Sequence, residues 1–582
     1  MATFTGSSHI KGSTETVRMV LLTFAAIGIS FTWGIEMTYF TPYLLNLGLT
    51  KSNTALVWIA GPLSGLITQP VIGSIADQYK SKWGRRRPFI FMGSIVVTIS
   101  FLVVGFTKEI TDHFATDEET SQTLAIVLAV LAIYVADFAI NADEGPAAVT
   151  YQISLVMSCS RSLVVDTLPI EKQQAGAAWS SRMAAVGNML AYGAGAVNLV
   201  GIFGEWLGDT QFKQITLIAS FFNVFSACIT CWAVTERVLV STKGDQGHRG
   251  GPFKFISQIY STIRTLPPRI RAICWAQFWA WLGWFPLLFY STTWVGETYF
   301  RYDVPADALD SHDVLGDIGR IGSTSLTIFS IITFLASWLL PLVVQSPEDG
   351  SFTPRPAPHV ASLVKTLGKR KPDLLTAWVC GHLLFAVAMM CAPLAKSLRF
   401  ATFLVALCGL PWALATWAPV TFLGVEVSRL SGASSGDGAL YRRVSYPSRG
   451  PSVELPALGQ AQALDLENAR DDDDHDHDDN DDDDDGTDDA RGLGSSSSGE
   501  LSGIYFGILN IFSTIPQFIG TFVGAIIFSI LEPGKSPELT EDGISAEELH
   551  KDGPNAIAVC LFLGGLCAIG AAYMTRRLKY IP

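Results

Sequence analysis

Residues 73–106 read GSIADQYKSKWGRRRPFIFMGSIVVTISFLVVGF, which is a short basic loop followed by an apolar run. The stretch Phe89 to Phe106 contains no charged residue and approaches the roughly 20 apolar residues with which a helix crosses a bilayer. Similar stretches recur from Arg18 to Tyr573 in a chain of 582 residues that is 49% hydrophobic, 16% charged and has a mean hydropathy of +0.33. The sequence therefore predicts an all-α membrane protein with about twelve transmembrane helices, because soluble folds do not repeat such stretches.

The formal net charge of −13 arises in one segment of the chain. The run Asp471 to Asp489 holds 14 Asp, which leaves 39 acidic against 40 basic residues elsewhere. No basic surface is indicated, so the sequence gives no support for nucleic-acid binding. The surrounding residues 428–502 are rich in Ser, Gly and Asp and poor in large apolar residues, which predicts a disordered acidic loop.

Lysine and arginine are concentrated in loops on one predicted side of the membrane. They follow the second, eighth and twelfth predicted helices, whereas the loops after the third and eleventh are acidic. Cytoplasmic loops carry an excess of Lys and Arg, so we expect both termini in the cytoplasm. The multi-pass chain is expected in the plasma membrane. The predicted organisation is a cytoplasmic tail (1–17), a six-helix bundle (18–235), a central cytoplasmic loop (236–268) and a second six-helix bundle (269–582) that contains the loop 428–502.

The loop quoted above contains two motifs, Gly73-x-x-x-Asp77 and Gly84-Arg85-Arg86-Arg87-Pro88. An Asp near a helix end can pair with an Arg or with a helix terminus, which forms a charge latch that breaks and reforms as two bundles rock. The alternative is that the basic cluster only anchors the cytoplasmic side. The combination resembles the signature of the major facilitator superfamily, and that resemblance implies two six-helix bundles.

Further blocks narrow the resemblance. They include Thr41-Pro42-Tyr43, Gly61-Pro-Leu-Ser-Gly65, Asp137-Phe-Ala-Ile-Asn141, Arg161-Ser-Leu-Val-Val-Asp166 and Trp275-Ala-Gln-Phe-Trp-Ala-Trp281. Together they resemble the sucrose transporters, fungal type, within the glycoside-pentoside-hexuronide cation symporters. The resemblance implies proton-coupled symport of sucrose, maltose or a related α-glucoside by alternating access.

Asp137 lies deep in an otherwise apolar predicted helix. Ionisable groups are costly in hydrocarbon and are functional candidates there, and burial favours the neutral acid that a proton carrier needs. The resemblance likewise implies that Asp137 is the proton site. It implies that Arg161 holds the sugar or modulates Asp137, and a guanidinium fork suits vicinal hydroxyls. The alternative for Arg161 is an anchor at the cytoplasmic end of the helix.

Two further charges and a group of aromatic residues are candidates for sugar binding. Glu36 and Arg182 lie within predicted helices, where they either face the central cavity or neutralise one another. Trp279, Trp281 and Tyr290 belong to a dense aromatic group in the seventh predicted helix and can stack on a sugar ring, unless they serve only packing.

Two departures from the resembled family concern charge. Plant members carry two Asp and a Gly-Arg-Glu after the seventh helix, where this chain has Ser291, Thr293 and Gly296-Glu297, so Glu297 is the expected remnant of that network. Residues 143–155 also separate Asp137 from Arg161 and include Asp143, Glu144 and Pro146, which a membrane helix disfavours. Our hypothesis is that this segment is a retained intron or a gene-model artefact, which sequencing of the spliced transcript decides.

A second function class is a non-transporting sugar receptor on the same fold, with the acidic loop as a signalling tail. No pairing of a nucleophile with a base and no metal-ligand spacing indicates an enzyme, and the 9 Cys are scattered singly. We therefore expect no cofactor or metal, a proton as the coupling ion, and a disaccharide and the lipid bilayer as partners. The sequence leaves the oligomeric state open.

Overall fold

The computed structural model describes most of the helical part of the chain. The described residues are 2–5, 8–64, 81–84, 86–115, 117–141, 160, 163–164, 167–168, 170–236, 238–242, 263–303, 314–344, 371–430, 498–532 and 555–581. Gly73, Asp77, Arg85, Arg161, the segment 143–155 and most of the loop 428–502 lie outside these residues.

Helices dominate the described residues. In chain order they are α1 (Glu15–Thr23), α2 (Ala25–Ile35), α3 (Thr41–Asn46), α4 (Lys51–Val57), α5 (Arg87–Gly105), α6 (Thr107–Phe114), α7 (Glu118–Asn141), α8 (Ile170–Ala196), α9 (Leu199–Phe203), α10 (Gln211–Ala233), α11 (Pro268–Tyr302), α12 (Val314–Val343), α13 (Leu374–Met390), α14 (Leu398–Leu407), α15 (Gly409–Leu430), α16 (Ser498–Leu531) and α17 (Ala556–Arg577). A π-helical turn (Glu36–Phe40) joins α2 to α3, and 3₁₀ turns lie at Gly204–Leu207, Ala392–Leu394 and Leu578–Tyr580.

The membrane-spanning character of the chain is confirmed. Nine of the described helices are long and apolar enough to cross a bilayer, and two bent pairs raise the number to eleven. The bent pairs are Glu15–Thr23 with Ala25–Asn46, at 41°, and Ala178–Ala196 with Leu199–Leu207, at 73°. The second predicted span is described only from α4 to Ser64, so the count of twelve stays a prediction.

Several helices begin at a polar residue that caps the first turn. The side chains of Thr14, Thr50, Thr210 and Asn555 each accept a hydrogen bond from a backbone N–H three residues on. Such caps satisfy donors that have no partner within the helix, and they stabilise helix ends by about 1 kcal/mol each. The caps fix where the apolar spans begin.

The helices pack in two groups. The amino-terminal group contains α2, α5, α7, α8 and α10, and the carboxy-terminal group contains α11, α12, α13, α14 and α17. The two groups meet where α8 packs on α12 and where the π turn and α3 pack on α11 and α12. Large apolar side chains on the outer faces, such as Ile99, Leu131 and Phe221, are exposed, as expected for surfaces that contact lipid.

Four short strands pair the beginning of the chain with the segment after α10. Strand β1 (Ala2–Thr5) pairs antiparallel with β4 (Val238–Thr242), and β2 (His9–Ile10) pairs with β3 (Val234–Thr235). From the sequence, only a tail and a loop are expected here. Strands this short show no clear alternation of polar and apolar residues, and their pairing partners are distant in sequence.

Candidate functional site

The first candidate residue, Glu36, opens the π turn. The wider hydrogen-bonding of such turns is rare and is frequent at functional sites. Glu36 is 0% exposed, and neither of its carboxyl oxygens has a hydrogen-bond partner among the described residues. Leaving a charged carboxylate in that state costs several kcal/mol, as a rough magnitude, so the side chain requires a neutralising partner or a proton.

Asp137 lies on α7 and faces Glu36. Its side chain is 4% exposed, its Oδ2 has no described hydrogen-bond partner, and its carboxyl group interacts with that of Glu36. A Cβ atom built on Gly61 lies 3.9 Å from Asp137 Oδ1, so the described part of the second span also borders this carboxyl group. Two ionised carboxylates repel strongly in such dry surroundings.

Glycines bring α2 close to α8 and so fix the position of the π turn. A Cβ atom on Gly187 would lie 2.4 Å from the carbonyl oxygen of Ile27, and one on Gly34 would lie 2.8 Å from Cβ of Ala191. Small residues allow this close approach of membrane helices. Glu36 therefore extends from a tightly held segment of backbone.

Arg182 does not neutralise Glu36, so that alternative from the sequence is wrong. The Arg182 guanidinium lies 4.2 Å from the ring centroid of Trp338 and 5.3 Å from that of Trp179. The faces of indole rings attract cations, which explains this placement. The contact joins α8 to α12 across the two helix groups.

The three aromatic candidates each contact a neighbouring helix. Trp279 borders α17, because a Cβ atom on Gly570 would lie 3.2 Å from its Cδ2. The ring centroids of Trp281 and Trp412 are 6.1 Å apart in an edge-on contact, and Tyr290 meets Phe528 in the same way at 5.2 Å. These contacts show packing, and sugar contact by the same residues stays a prediction.

Arg86 and Arg87 are the described part of the predicted latch, and both contact Glu236 through their backbone. Their N–H groups donate to the Glu236 carboxylate at 2.9 Å and 2.8 Å. The carboxylate thus caps the start of α5, where N–H groups have no partner within the helix and the helix dipole favours a negative charge. Gly84 has a φ of +109°, a backbone conformation that glycine adopts readily. A Cβ atom at this position would lie 2.8 Å from Cδ of Glu236.

The sequence pattern does not single out Glu236, which is the first residue of the predicted central loop. The signal was an acidic residue just after the last apolar residue of the sixth predicted helix. Its partner, the start of α5, lies far away in sequence. Only the packing of α10 on α5 brings the two together.

A cluster of charges lies at the opposite end of the helices from α1 and the end of α17, here called the distal end. Lys51 Nζ is 2.5 Å from Oε1 of Glu297 and also contacts Glu532. Arg301 lies 3.1 Å from Glu532, and Asn555 donates to Glu297 at 2.9 Å. Lys51 is 4% exposed and Glu297 is 0% exposed, so these charges are buried and compensated.

The distal cluster connects the start of α4 to α11, α16 and α17, and other buried contacts reinforce it. The Ser52 hydroxyl donates to the carbonyl of Ala525 at 3.0 Å. The Thr41 hydroxyl donates to the carbonyl of Phe289 at 3.0 Å, and the Trp58 indole donates to Thr41 at 3.0 Å. The distal half of the interface between the two helix groups is therefore closed.

Comparison with known proteins agrees with this architecture. The family described as "MFS/sugar transport protein" matches residues 22–307. A "General alpha-glucoside permease" of Schizosaccharomyces pombe is 29% identical over an alignment of 619 positions, which covers 97% of this chain and 94% of that protein. Over residues 22–307, just under half of its length, the chain is similar to the MFS sugar transport family.

Two further comparisons separate sequence kinship from fold. A "Sucrose transport protein SUC4" of Arabidopsis thaliana is 31% identical over 49% of this chain and 56% of that protein. A crystal structure of a bacterial homologue of the human lysosomal transporter Spinster covers 98% of both chains with a TM-score of 0.52 at 12% identity, which supports the fold alone.

The protein therefore holds two buried charge arrangements among its described residues. The carboxyl pair of Glu36 and Asp137 lies within the spans of the amino-terminal group. The distal cluster lies at the ends of helices from both groups. The first has the chemistry to hold a proton, and the second has the chemistry to hold two helix groups together.

Proposed function

We propose that the protein is a proton-coupled symporter of sucrose, maltose or a related α-glucoside, working by alternating access. The named activities of the two relatives support this substrate class. The buried Asp137 carboxyl group, which has no ion-pair partner among the described residues, is the observation that carries the proton coupling.

In the proposed cycle a proton neutralises Asp137 and makes sugar binding and reorientation favourable. Removing the charge lowers the free-energy cost of carrying Asp137 through conformations from which water is excluded. Arg161 and the aromatic residues of α11 are the proposed sugar-contacting groups. The proton then leaves toward the opposite side, and the empty carrier returns.

The proposed orientation places the distal end outside the cell and both termini in the cytoplasm of a plasma-membrane protein. The Lys/Arg-rich loops support that direction. The distal contacts then form the external closure of the transporter. For sugar to enter from outside, the Lys51 contacts to Glu297 and Glu532 must open, because they join the two helix groups.

Uptake of radiolabelled sugar together with proton influx, measured in the same membrane vesicles, tests this function. An imposed inward proton gradient should drive sugar accumulation, and sugar addition should drive proton entry. Sugar that binds without accumulating would indicate a receptor instead. Accumulation without proton movement would remove the coupling ion from the proposal.

A further inference from the structure

The proposed cycle uses Asp137 and leaves Glu36 without a role. Yet the two side chains form one structural unit: they come from the π turn and from α7, both are almost completely buried, and their carboxyl groups interact. Three of their four oxygens have no described hydrogen-bond donor, namely both of Glu36 and Oδ2 of Asp137. Such burial without donors calls for a proton between them.

The surroundings of the pair offer no other described neutralising group. No described Lys or Arg lies within ion-pairing distance of either carboxyl group, and Arg182 points to Trp179 and Trp338 instead. Among the residues that the structure describes, the titratable groups facing the pair are the two carboxyls and Tyr134, which lies one turn before Asp137 on α7. Tyr134 is neutral in the working range of a proton carrier, because phenols titrate near pH 10.

We propose that Glu36 and Asp137 form a single proton-binding site in which one proton is shared as an O–H···O hydrogen bond between the two carboxyl groups. This inference rests on the proposed proton coupling. A hydrogen bond from a neutral acid to a carboxylate is short and strong, and it satisfies an oxygen on each side. Loss of the shared proton leaves two adjacent negative charges, so release requires that the pair separate or gain a cation.

The geometry favours this role of Glu36 over the sugar-binding role that the sequence suggested. A sugar ligand has to reach its binding group through water, whereas Glu36 is 0% exposed. Its carboxyl group faces the carboxyl group of Asp137. Two facing acids favour binding of a proton, and they give a sugar hydroxyl no better binding site than a proton has. Glu36 also begins the π turn, so a change of that turn alters its distance from α7.

The test compares Glu36→Gln with wild type and with the control Thr32→Val, measuring sugar uptake and proton influx between about pH 5 and pH 8, where coupled sites titrate. Thr32 lies one turn before Glu36, and among the described residues its hydroxyl donates only to the Gly28 carbonyl of its own helix. Glu36→Gln removes the neighbouring charge and adds a donor. Asp137 then releases its proton more easily, and the half-maximal pH of uptake should move at least about one unit toward acid.

The outcomes separate this inference from the function on which it rests. Wild-type vesicles that accumulate sugar without protons overturn the proposed function first. Coupled wild type together with an unchanged pH profile for Glu36→Gln overturns the shared site alone. A raised KM at an unchanged pH profile also overturns it, because Glu36 would then be a sugar ligand.

A second variant covers the case in which Glu36→Gln does not reach the membrane. Glu36→Asp keeps the carboxyl group but shortens its reach, so coupling should persist with a shifted pH midpoint. An unchanged midpoint in that variant overturns the shared site as well. Thr32→Val should retain the wild-type profile, which separates loss of the carboxyl group from a general effect on α2.

Discussion

The protein buries acidic side chains in two places, and the free-energy cost of burying them is offset in a different way at each place. At the distal end, Glu297 and Glu532 contact Lys51 and Arg301. In the middle of the amino-terminal group, Glu36 and Asp137 contact each other. A carboxylate paired with cations stays ionised and holds its partners, whereas one that faces another acid must take up a proton. The same residue type therefore holds helices together in one region and has the proposed role of proton exchange in the other.

The largest expected effect comes from the carboxyl pair: Asp137→Asn should abolish proton-driven sugar accumulation while sugar exchange remains. Asn is nearly isosteric and keeps hydrogen-bonding capacity, but it exchanges no proton. The electrical drive of about 2.3 kcal/mol per charge per 100 mV would be lost. Sugar uptake and proton influx in the same vesicles provide the measurement. Accumulation at the wild-type level would exclude Asp137 from the coupling.

The second effect concerns the distal cluster. Lys51→Met should leave Glu297 and Glu532 with one cation fewer, and truncating one partner of a buried ion pair costs about 3–5 kcal/mol. That cost falls on the state in which the distal end is closed. A cysteine at Ser52 should then react faster with a thiol reagent added from the distal side, measured against the same variant without that cysteine.

Lys213→Met is the matched control for Lys51→Met. Lys213 also contacts two acids, Glu109 and Asp209, and its hydrogen bond to Asp209 holds the pKa of that carboxyl group below its usual value. These residues all belong to the amino-terminal group, so Lys213→Met should not change the labelling at position 52. Equal labelling in both lysine variants would show that charge loss in general, not opening of the distal end, explains the result.

The two regions also differ in how far the sequence revealed them. Asp137 was predicted because an ionisable residue in an apolar run has few harmless explanations. Its partner was not predicted: Glu36 was expected either to face the central cavity as a sugar-binding residue or to neutralise Arg182. Which residue of α7 the Glu36 side chain meets depends on how the helices are rotated, and the sequence does not give that rotation. Lys51, Arg301 and Glu532 were missed because charges near helix ends resemble ordinary interfacial residues.

The contact between Glu236 and α5 offers a third, smaller case, in which a carboxylate is stabilised by backbone donors. Glu236→Ala should lower stability by about 1 kcal/mol, the usual cost of losing a cap, and Glu236→Gln by less because the amide oxygen still accepts. Thermal unfolding of the purified protein in detergent provides the measurement, with the exposed Glu205→Ala as control. Equal midpoints for the Glu236→Ala and Glu205→Ala variants would argue against the cap.

The smallest effect is expected where acids are most numerous, in the run Asp471 to Asp489 with its 14 Asp. Composition predicts that these carboxylates stay in water, where each keeps its charge without a protein partner. They therefore need neither a paired cation nor a bound proton. Deleting the run should leave sugar uptake within about twofold of wild type, since no packing energy is expected to be lost.

A Gly/Ser segment of equal length separates the role of charge from that of loop length. If the deletion abolishes uptake while the Gly/Ser replacement restores it, loop length matters. If both abolish uptake in protein that reaches the membrane, the negative charge itself acts on transport, and the division between buried working acids and solvated linker acids fails.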